Sequence, residues 1–230
     1  FPGLLLALLL TVCQSFAADI REIRPVAPFT AVSMGGSMEV IFRQGSPQKV
    51  EVRGDAEDVA RLETSVTTGR LRIITKHPSS STPISFRNKD PVYVTAPTVT
   101  ALSVAGSGSL RAAGPIRAGK LQLAVSGSGS LELAGVSADA LSLAMSGSGN
   151  LEVGGGRVAS QQIRISGSGD VQTEKLQSKT CDVRVAGSGS CRVLATELLD
   201  VRIAGSGSVY VRGNPRVSSS TAGSGRVYKI

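Results

Sequence analysis

The sequence predicts an all-β protein that folds as a single-stranded parallel β-helix, with about 20 residues in each coil. Three observations predict this fold: a Gly-Ser-Gly motif that recurs at a nearly constant step, apolar residues that alternate with polar ones around it, and variable connectors between the motifs. The steps are 21, 20, 20, 20, 18 and 18 residues. The glycines of these predicted turns are Gly106, Gly108, Gly127, Gly129, Gly147, Gly149, Gly167, Gly169, Gly187, Gly189, Gly205, Gly207, Gly223 and Gly225.

Aliphatic residues recur at equivalent positions on both sides of each motif. Apolar and polar residues alternate with a period of two, which is typical of strands with one buried face. Stacked units of this kind bury a continuous core that one unit alone cannot. Two residues before the first glycine stand Val104, Val125, Met145, Ile165, Val185 and Ile203, and four residues after it stand Leu110, Leu131, Leu151, Val171, Cys191, Val209 and Val227.

The chain divides into three segments, of which the last two form one continuous domain. Residues 99–230 hold the regular coils, and residues 18–98 are an irregular start that caps the stack. Within this start, residues 32–40 form a degenerate strand–corner–strand unit, and a short helix is expected from Asp55 because acidic residues suit a helix N-terminus. The 20-residue step favours a right-handed coil. It does not fit a propeller, whose blades take about 40 residues.

Residues 1–17 have the features of a signal peptide. An apolar run at 1–10 is too short to span a membrane, and Ser15 and Ala17 place small residues at a cleavage site. We therefore expect an exported protein, located in the periplasm, at the outer membrane or outside a Gram-negative cell. Cys181 and Cys191 remain after cleavage, and we expect them to be buried thiols rather than a disulfide, although an oxidising compartment would permit one.

The net charge of +8 favours anionic partners, and its simplest interpretation is solubility. The low aromatic content and the absence of Trp argue against nucleic-acid binding by base stacking. One histidine, His77, and two separated cysteines support neither a Ser-His-Asp set nor a transition-metal site. We expect no catalytic residues and no cofactor.

Two groups of residues form a candidate surface for a ligand or a partner. Asp182 and Asp200 fall at the same repeat position in adjacent coils, and stacked carboxylates of this kind could bind or cleave an acidic sugar. The simpler interpretation is that the charged residues form an exposed ladder and that the two tyrosines form an ordinary cross-strand pair. The candidate residues are Asp182, Asp200, Arg164, Arg184 and Arg202, together with the tyrosines Tyr210 and Tyr228.

The order of elements resembles the family of bacterial exported proteins described as putative auto-transporter adhesin, head GIN domain. The resemblance rests on VEVRGD at 50–55, VYVTAPTVTALSVAGSGS at 92–109, the successive corners, and the ending Val209 to Pro215 followed by Gly223-Ser-Gly. It implies a β-helical fold and a periplasmic or surface location. It implies no catalytic or ligand residues.

Three classes of function remain at this point. The first is a non-catalytic, adhesin-like module of the cell envelope, whose partner is a cell-surface glycan or another envelope protein. The second is a structural protein that forms homo-oligomers through its terminal coil, because no cap is evident after Arg226. The third is a carbohydrate-active enzyme that uses Asp182 and Asp200.

Overall fold

The computed structural model describes residues 20–76 and 91–230. Within them, the strands join one 17-stranded sheet that winds as a solenoid. Residues about one repeat apart lie side by side in parallel strands, as Met145 does between Val125 and Ile165. The predicted β-helix is therefore confirmed, while its right-handed sense and the segment boundaries stay predictions. The predicted signal peptide at 1–17 and His77 lie outside the described residues.

The described residues form seventeen strands and one short helix. In chain order the elements are β1 (Ile20–Arg24), β2 (Ala31–Gly36), β3 (Glu39–Gln44), β4 (Lys49–Gly54), α1 (Ala56–Arg61), β5 (Leu62–Thr67), β6 (Arg70–Thr75), β7 (Val92–Ala96), β8 (Ala101–Gly106), β9 (Ser109–Gly127), β10 (Ser130–Gly147), β11 (Asn150–Val153), β12 (Gly156–Gly167), β13 (Asp170–Gly187), β14 (Ser190–Gly205), β15 (Ser208–Arg212), β16 (Arg216–Gly223) and β17 (Arg226–Lys229).

The Gly-Ser-Gly corners separate two faces of the solenoid. The pre-corner face holds the strands that lead into the corners, in the order β5, β6, β2, β8, β9, β10, β12, β13, β14 and β16. The post-corner face holds the strands that leave them, in the order β1, β4, β7, β3, β9, β10, β11, β13, β14, β15 and β17. The long strands β9, β10, β13 and β14 leave one corner and lead into the next, so they belong to both faces.

The start of the solenoid is not built in chain order. The first coil, β2 and β3, lies between β6 and β7 on one side and β8 and β9 on the other. After the first coil, the chain therefore passes to its N-terminal side, where β6 and β7 pair with it. It then returns to the other side, where β8 and β9 begin the regular coils. Beyond β6 and β7 the pairing becomes antiparallel, between β5 and β6, β4 and β7, and β1 and β4. The strands at this end of the stack therefore pair antiparallel, whereas the regular coils pair parallel.

The predicted helix is present as α1. Asp55 is its N-cap residue, and its side chain accepts a hydrogen bond of 2.9 Å from the backbone N–H of Asp58. Arg61 in the last turn pairs with Glu57 one turn earlier. The helix connects β4 on the post-corner face with β5 on the pre-corner face, so it crosses the N-terminal end of the stack.

A buried carboxylate holds the N-terminal strands together. Glu51 on β4 is 4% exposed and contacts three basic groups: Arg21 Nε at 2.6 Å, Lys49 Nζ at 2.6 Å and Arg53 Nε at 2.7 Å. Hydrogen bonds from Arg21 and then from Lys49 lower the pKa of Glu51 from 4.5 to about 2. The Arg53 guanidinium also lies 4.4 Å from the centre of the Tyr93 ring on β7. This cluster therefore ties β1, β4 and β7 together.

The core consists of rows of inward aliphatic side chains that run along the solenoid axis. Strand pairing aligns the row from Val104 to Ile203, and each of its members is at most 2% exposed. Stacking equivalent residues buries them without a second layer of structure. The members of this row are Val104, Val125, Met145, Ile165, Val185 and Ile203.

The two glycines of each corner have different roles. Gly167 has a φ of +120°, a region that side chains disfavour, and an added Cβ would lie 2.5 Å from the carbonyl oxygen of Gly147. Gly169 is limited by space, because a Cβ there would lie 2.7 Å from the carbonyl oxygen of Gly149. The corners can therefore stack closely enough for Ser168 N–H to donate to Gly147 O at 2.9 Å.

Both cysteines of the repeat region are buried and free. Burial raises the pKa of the Cys181 thiol to about 12 and raises the pKa of Cys191 well above its ordinary value. Thiols with raised pKa values stay protonated at neutral pH and are poor nucleophiles. The two cysteines therefore serve as small core residues, as the sequence predicted.

Polar residues replace some of the aliphatic rows at both ends of the stack. At the N-terminal end, Glu22 and Arg24 of β1 occupy inward positions over Val52 and Val50 and form an ion pair of 3.2 Å. At the other end, the positions beside Val201, Ile203 and Val211 are taken by Ser219, Thr221 and Lys229. Among the described residues no strand pairs with the outer edges of β16 and β17, so the expectation that no cap follows Arg226 stays a prediction, although Ser219, Thr221 and Lys229 make that edge polar.

Candidate functional site

The candidate charges stand in two adjacent rows on the pre-corner face. Arg164, Arg184 and Arg202 are direct neighbours across β12, β13 and β14, and we call them the arginine row. Asp182 and Asp200 pair in the same way two residues earlier on β13 and β14, and we call them the aspartate row. The sequence predicted this placement from the repeat positions alone.

Each arginine also contacts the preceding outward residue of its own strand. Arg184 Nε lies 3.2 Å from Asp182 Oδ1, and Arg202 Nη2 lies 3.7 Å from Asp200 Oδ2. Arg164 Nη1 donates to the side-chain oxygen of Gln162 at 2.8 Å. A guanidinium has five N–H donors, so each arginine keeps donors for an external acceptor. The two rows together contain three arginines and two aspartates, so their net charge is +1.

The arginine row forms the rim of a shallow groove of about 600 Å³. The groove runs parallel to the solenoid axis across six neighbouring strands of the pre-corner face, β9, β10, β12, β13, β14 and β16. With about 4.8 Å between strands, its length is about 24 Å. We call it the small-residue groove, because its outward side chains other than the arginines are Ala124, Ser126, Ala144, Ser146, Ser166, Ala186, Ala204, Ser220 and Ala222.

A second groove, of about 540 Å³, lies on the opposite side of the two rows. Asp182 and Asp200 contribute to its wall, together with polar residues such as Gln122, Ser142 and Gln162. The charged rows therefore form a ridge between two grooves that both follow the solenoid axis. This shape can hold an extended ligand lengthwise, with guanidinium groups on one side of the ridge and carboxylates on the other.

The two tyrosines do not join the charged rows. Tyr210 on β15 and Tyr228 on β17 project from the post-corner face, where their rings stack with centroids 5.2 Å apart. The Arg192 guanidinium lies 4.9 Å from the centre of the Tyr210 ring, which extends the stack by one strand. The candidate surface predicted from the sequence is therefore two separate surfaces, one on each face.

The small outward residues of the groove are the part of the site that sequence reasoning missed. They occupy positions one and three before each corner, such as Ser126 and Ala124 before Gly127. The alternation already assigned these positions to the outer surface. Their small size was the available signal, because consecutive small residues beside long arginines leave a depression.

Residues 20–76 and 91–230 hold neither a metal-binding group of side chains nor a membrane-spanning helix. Within these ranges, no three His, Cys, Asp or Glu side chains are grouped as a metal ion would need. Among the same residues, no helix has the length and apolar character needed to cross a bilayer.

A family model described as "Putative auto-transporter adhesin, head GIN domain" matches residues 28–215. The chain belongs to this family. The resemblance inferred from the corners and from the ending is therefore confirmed. The adhesin description fits an exported bacterial protein, and it names no enzymatic activity for the head GIN domain.

Solved structures share the fold of this head GIN domain. A putative adhesin from Bacteroides fragilis has a TM-score of 0.85 and 21% identity, and the alignment covers 93% of this chain and 97% of that one. A putative lipid binding protein from Parabacteroides distasonis has a TM-score of 0.73 and 24% identity, with 92% and 96% covered. A putative adhesin from Parabacteroides distasonis gives 0.74 and 22%, with 93% and 98% covered. The sequence matches no curated protein.

Proposed function

We propose that this head GIN domain is an exported, non-catalytic, adhesin-like module of the bacterial cell envelope that binds an extended acidic glycan along its pre-corner face. The observation that carries the proposal is the arginine row beside the small-residue groove. Residues 1–17 would direct export as a signal peptide. The adhesin descriptions of the family and of two structural neighbours support a binding role of this kind.

An acidic glycan suits this surface for chemical reasons. The planar guanidinium matches a carboxylate through two parallel hydrogen bonds, and three such groups follow one another at the spacing of adjacent strands. The neighbouring small side chains leave room for the rings of a sugar chain to lie flat. No tryptophan occurs in the chain, so recognition through charge and hydrogen bonds is favoured over aromatic stacking.

The aspartate row favours binding over hydrolysis. Asp182 and Asp200 each pair with an arginine of their own strand and stand on an open face. In a glycosidase the two carboxyl groups flank the bond that is cleaved, whereas Asp182 and Asp200 lie side by side in one row and each is held by a guanidinium. These two residues therefore orient the arginines and repel misplaced carboxylates.

The glycan proposal predicts a specific loss of affinity. Replacing Arg164, Arg184 and Arg202 together with Gln should weaken binding to polygalacturonate about 30-fold, since three exposed ion pairs at about 0.7 kcal/mol each sum to about 2 kcal/mol. The matched control replaces Arg117, Arg157 and Lys179, which removes the same charge. These three residues are exposed in the stretches that join the post-corner strands to the pre-corner strands, which we call the connector side. Binding would be measured by calorimetry.

Two outcomes would contradict the glycan proposal. An equal loss in the control variant would mean that overall charge, not the arginine row, holds the polymer. Cleavage of polygalacturonate that disappears when Asp182 and Asp200 become Asn would instead establish the enzyme alternative. We expect that the aspartate variant still binds the polymer and that no cleavage products form.

The assembly alternative is opposed by the charges at the two ends of the stack. A second copy placed in register beyond β17 would put Arg24 of β1 over Lys229, because both lie on the inward row that includes Val50 and Val211. The same register would bury Glu22 on Val227. Both contacts are unfavourable, since like charges repel and a carboxylate buried against an aliphatic side chain loses its water.

We therefore expect the chain from residue 18 onward to sediment as a monomer at all accessible concentrations. Sedimentation velocity would measure this, with Val227→Pro as a variant that disrupts β17. A concentration-dependent dimer that Val227→Pro weakens would support assembly through the terminal coil. A monomer for both chains would leave the binding role as the remaining proposal.

A further inference from the structure

The last coil differs in charge from the rest of the chain. Residues 201–230 contain five of the 25 basic residues and none of the 17 acidic ones. This segment therefore supplies five of the eight net positive charges, although it is about one eighth of the chain. The charge of the protein is concentrated at one end of the solenoid.

Four of these cations surround the end of the stack. Arg212 ends β15, Arg216 and Arg226 begin β16 and β17, and Lys229 ends β17. All four are exposed. Lys229 Nζ donates to Asn214 Oδ1 at 2.8 Å, which holds its charge at the rim of the coil. No Asp or Glu side chain occurs within this segment to neutralise them.

Exposed apolar side chains lie among these cations. Val217 is 47% exposed, Tyr228 is 41% exposed and Ile230 is 55% exposed. They make up half of the large hydrophobic residues that are exposed in the described part of the chain. One face of the Tyr228 ring rests on Tyr210, and its other face is directed away from the stack.

The N-terminal end of the stack offers a contrast. There Glu22 pairs with Arg24, Glu51 pairs with three basic groups, and Glu57 pairs with Arg61. Positive and negative charges are therefore mixed at that end, whereas the last coil carries a single sign. Of the two ends, a partner selected by negative charge would therefore recognise the one formed by the last coil.

We propose that the last coil is a docking surface for an anionic lipid bilayer, on which the solenoid stands end-on. Phosphate headgroups would accept hydrogen bonds from Arg212, Arg216, Arg226 and Lys229. Tyr228 and the neighbouring aliphatic side chains would reach the boundary between headgroups and acyl chains, where amphipathic rings are favoured.

The combination of charge and apolar surface is what favours a lipid over a soluble polyanion. A polysaccharide would leave Val217 and Ile230 in water, whereas a bilayer covers them and neutralises the arginines at the same time. Contact must remain shallow, because the outer edges of β16 and β17 pair with no other strand among the described residues and their backbone groups need water or headgroups. The hydroxyls of Ser219 and Thr221 suit this depth.

Vesicle sedimentation tests the proposal directly. The chain from residue 18 onward should sediment with vesicles of equal parts phosphatidylglycerol and phosphatidylcholine, and not with phosphatidylcholine alone. Replacing Arg212, Arg216, Arg226 and Lys229 with Gln should weaken binding about 600-fold, since each basic side chain near an anionic surface contributes a factor of about 5. The matched control replaces Arg117, Lys120, Arg157 and Lys179, which lie exposed on the connector side, and should change it much less.

A fluorescent reporter tests which end touches the bilayer. The chain has no tryptophan, so Tyr228→Trp introduces a single one at the last coil and Tyr93→Trp introduces a single one near the other end. Anionic vesicles should shift the emission of the first to shorter wavelength and leave the second unchanged. A shift of the Tyr93→Trp emission alone would overturn the proposal.

Three further outcomes would also overturn it. Equal weakening by both charge variants would show that only net charge matters. Retention of full vesicle affinity after Val217→Ser and Tyr228→Ser, together with complete competition by soluble polygalacturonate, would assign the last coil to a polyanion. Sedimentation of the protein without vesicles would show that the coil contacts other copies.

Discussion

Replacing Gly167 with Ala is expected to lower the free energy of unfolding by about 3 kcal/mol, since a strained positive φ costs about 1–2 kcal/mol and overpacking adds a similar amount. The added methyl would lie 2.5 Å from the carbonyl oxygen of Gly147 in the preceding coil. The midpoint of thermal unfolding, measured by circular dichroism, should fall by about 6–12 °C for a chain of this size.

Two further variants separate the causes. Gly169→Ala meets the carbonyl oxygen of Gly149 and the Met145 side chain without a positive φ, so its loss should be smaller, about 2 kcal/mol. Gly114→Ala is the control, because an added Cβ there meets no atom within 4 Å, and it should leave stability nearly unchanged. Equal effects of Gly114→Ala and Gly167→Ala would show that stacking does not require glycine.

Replacing Glu51 with Gln is expected to lower the free energy of unfolding by about 2 kcal/mol at neutral pH, because charge-assisted hydrogen bonds contribute about 1.5–3 kcal/mol. The variant leaves Arg21, Lys49 and Arg53 close together without their common partner. Glu132→Gln is a matched control in the same outward row of the post-corner face, where the carboxylate is more exposed and contacts one arginine at 3.2 Å. It should change stability by less than about 0.5 kcal/mol.

The effect of Glu51 should depend on pH in a defined direction. Its pKa is lowered from 4.5 to about 2 in the folded chain, so the unfolded chain binds more protons between these values. The stabilisation is therefore complete above pH 4.5 and is lost as the pH falls toward 2. Urea unfolding of the native chain and of Glu51→Gln should differ at neutral pH and converge near pH 2. A difference that stays constant over this range would contradict the role of the charge.

The regular coils could be predicted because one motif fixes both their spacing and their backbone geometry. Once Gly127, Gly147 and Gly167 are aligned, alternation assigns every neighbouring residue to the core or to the surface. The order of the N-terminal strands could not be predicted in this way. Alternation in β6 shows which side chains are buried, but it does not show that β6 pairs with β2 or that β5 pairs antiparallel to it.

Only part of the candidate site could be predicted from the sequence. The arginine and aspartate rows follow from equivalent repeat positions, so their stacking could be expected from Asp182 and Asp200 alone. The small-residue groove depends on side-chain size in two neighbouring outward rows, a signal that the alternation of apolar and polar residues does not report. The basic last coil could have been found from charge along the sequence, since no acidic residue follows Asp200.

The position of the first coil has a consequence for the order of folding. Ala31 on β2 pairs with Arg70 on one side and with Ala101 on the other, so its partners are synthesised long after it. Neighbouring Gly-Ser-Gly coils need only a contact about 20 residues away, and short loops close at a lower entropic cost. We therefore expect the repeat region to nucleate folding and the strands made first to find their partners last, once the repeat coils have stacked.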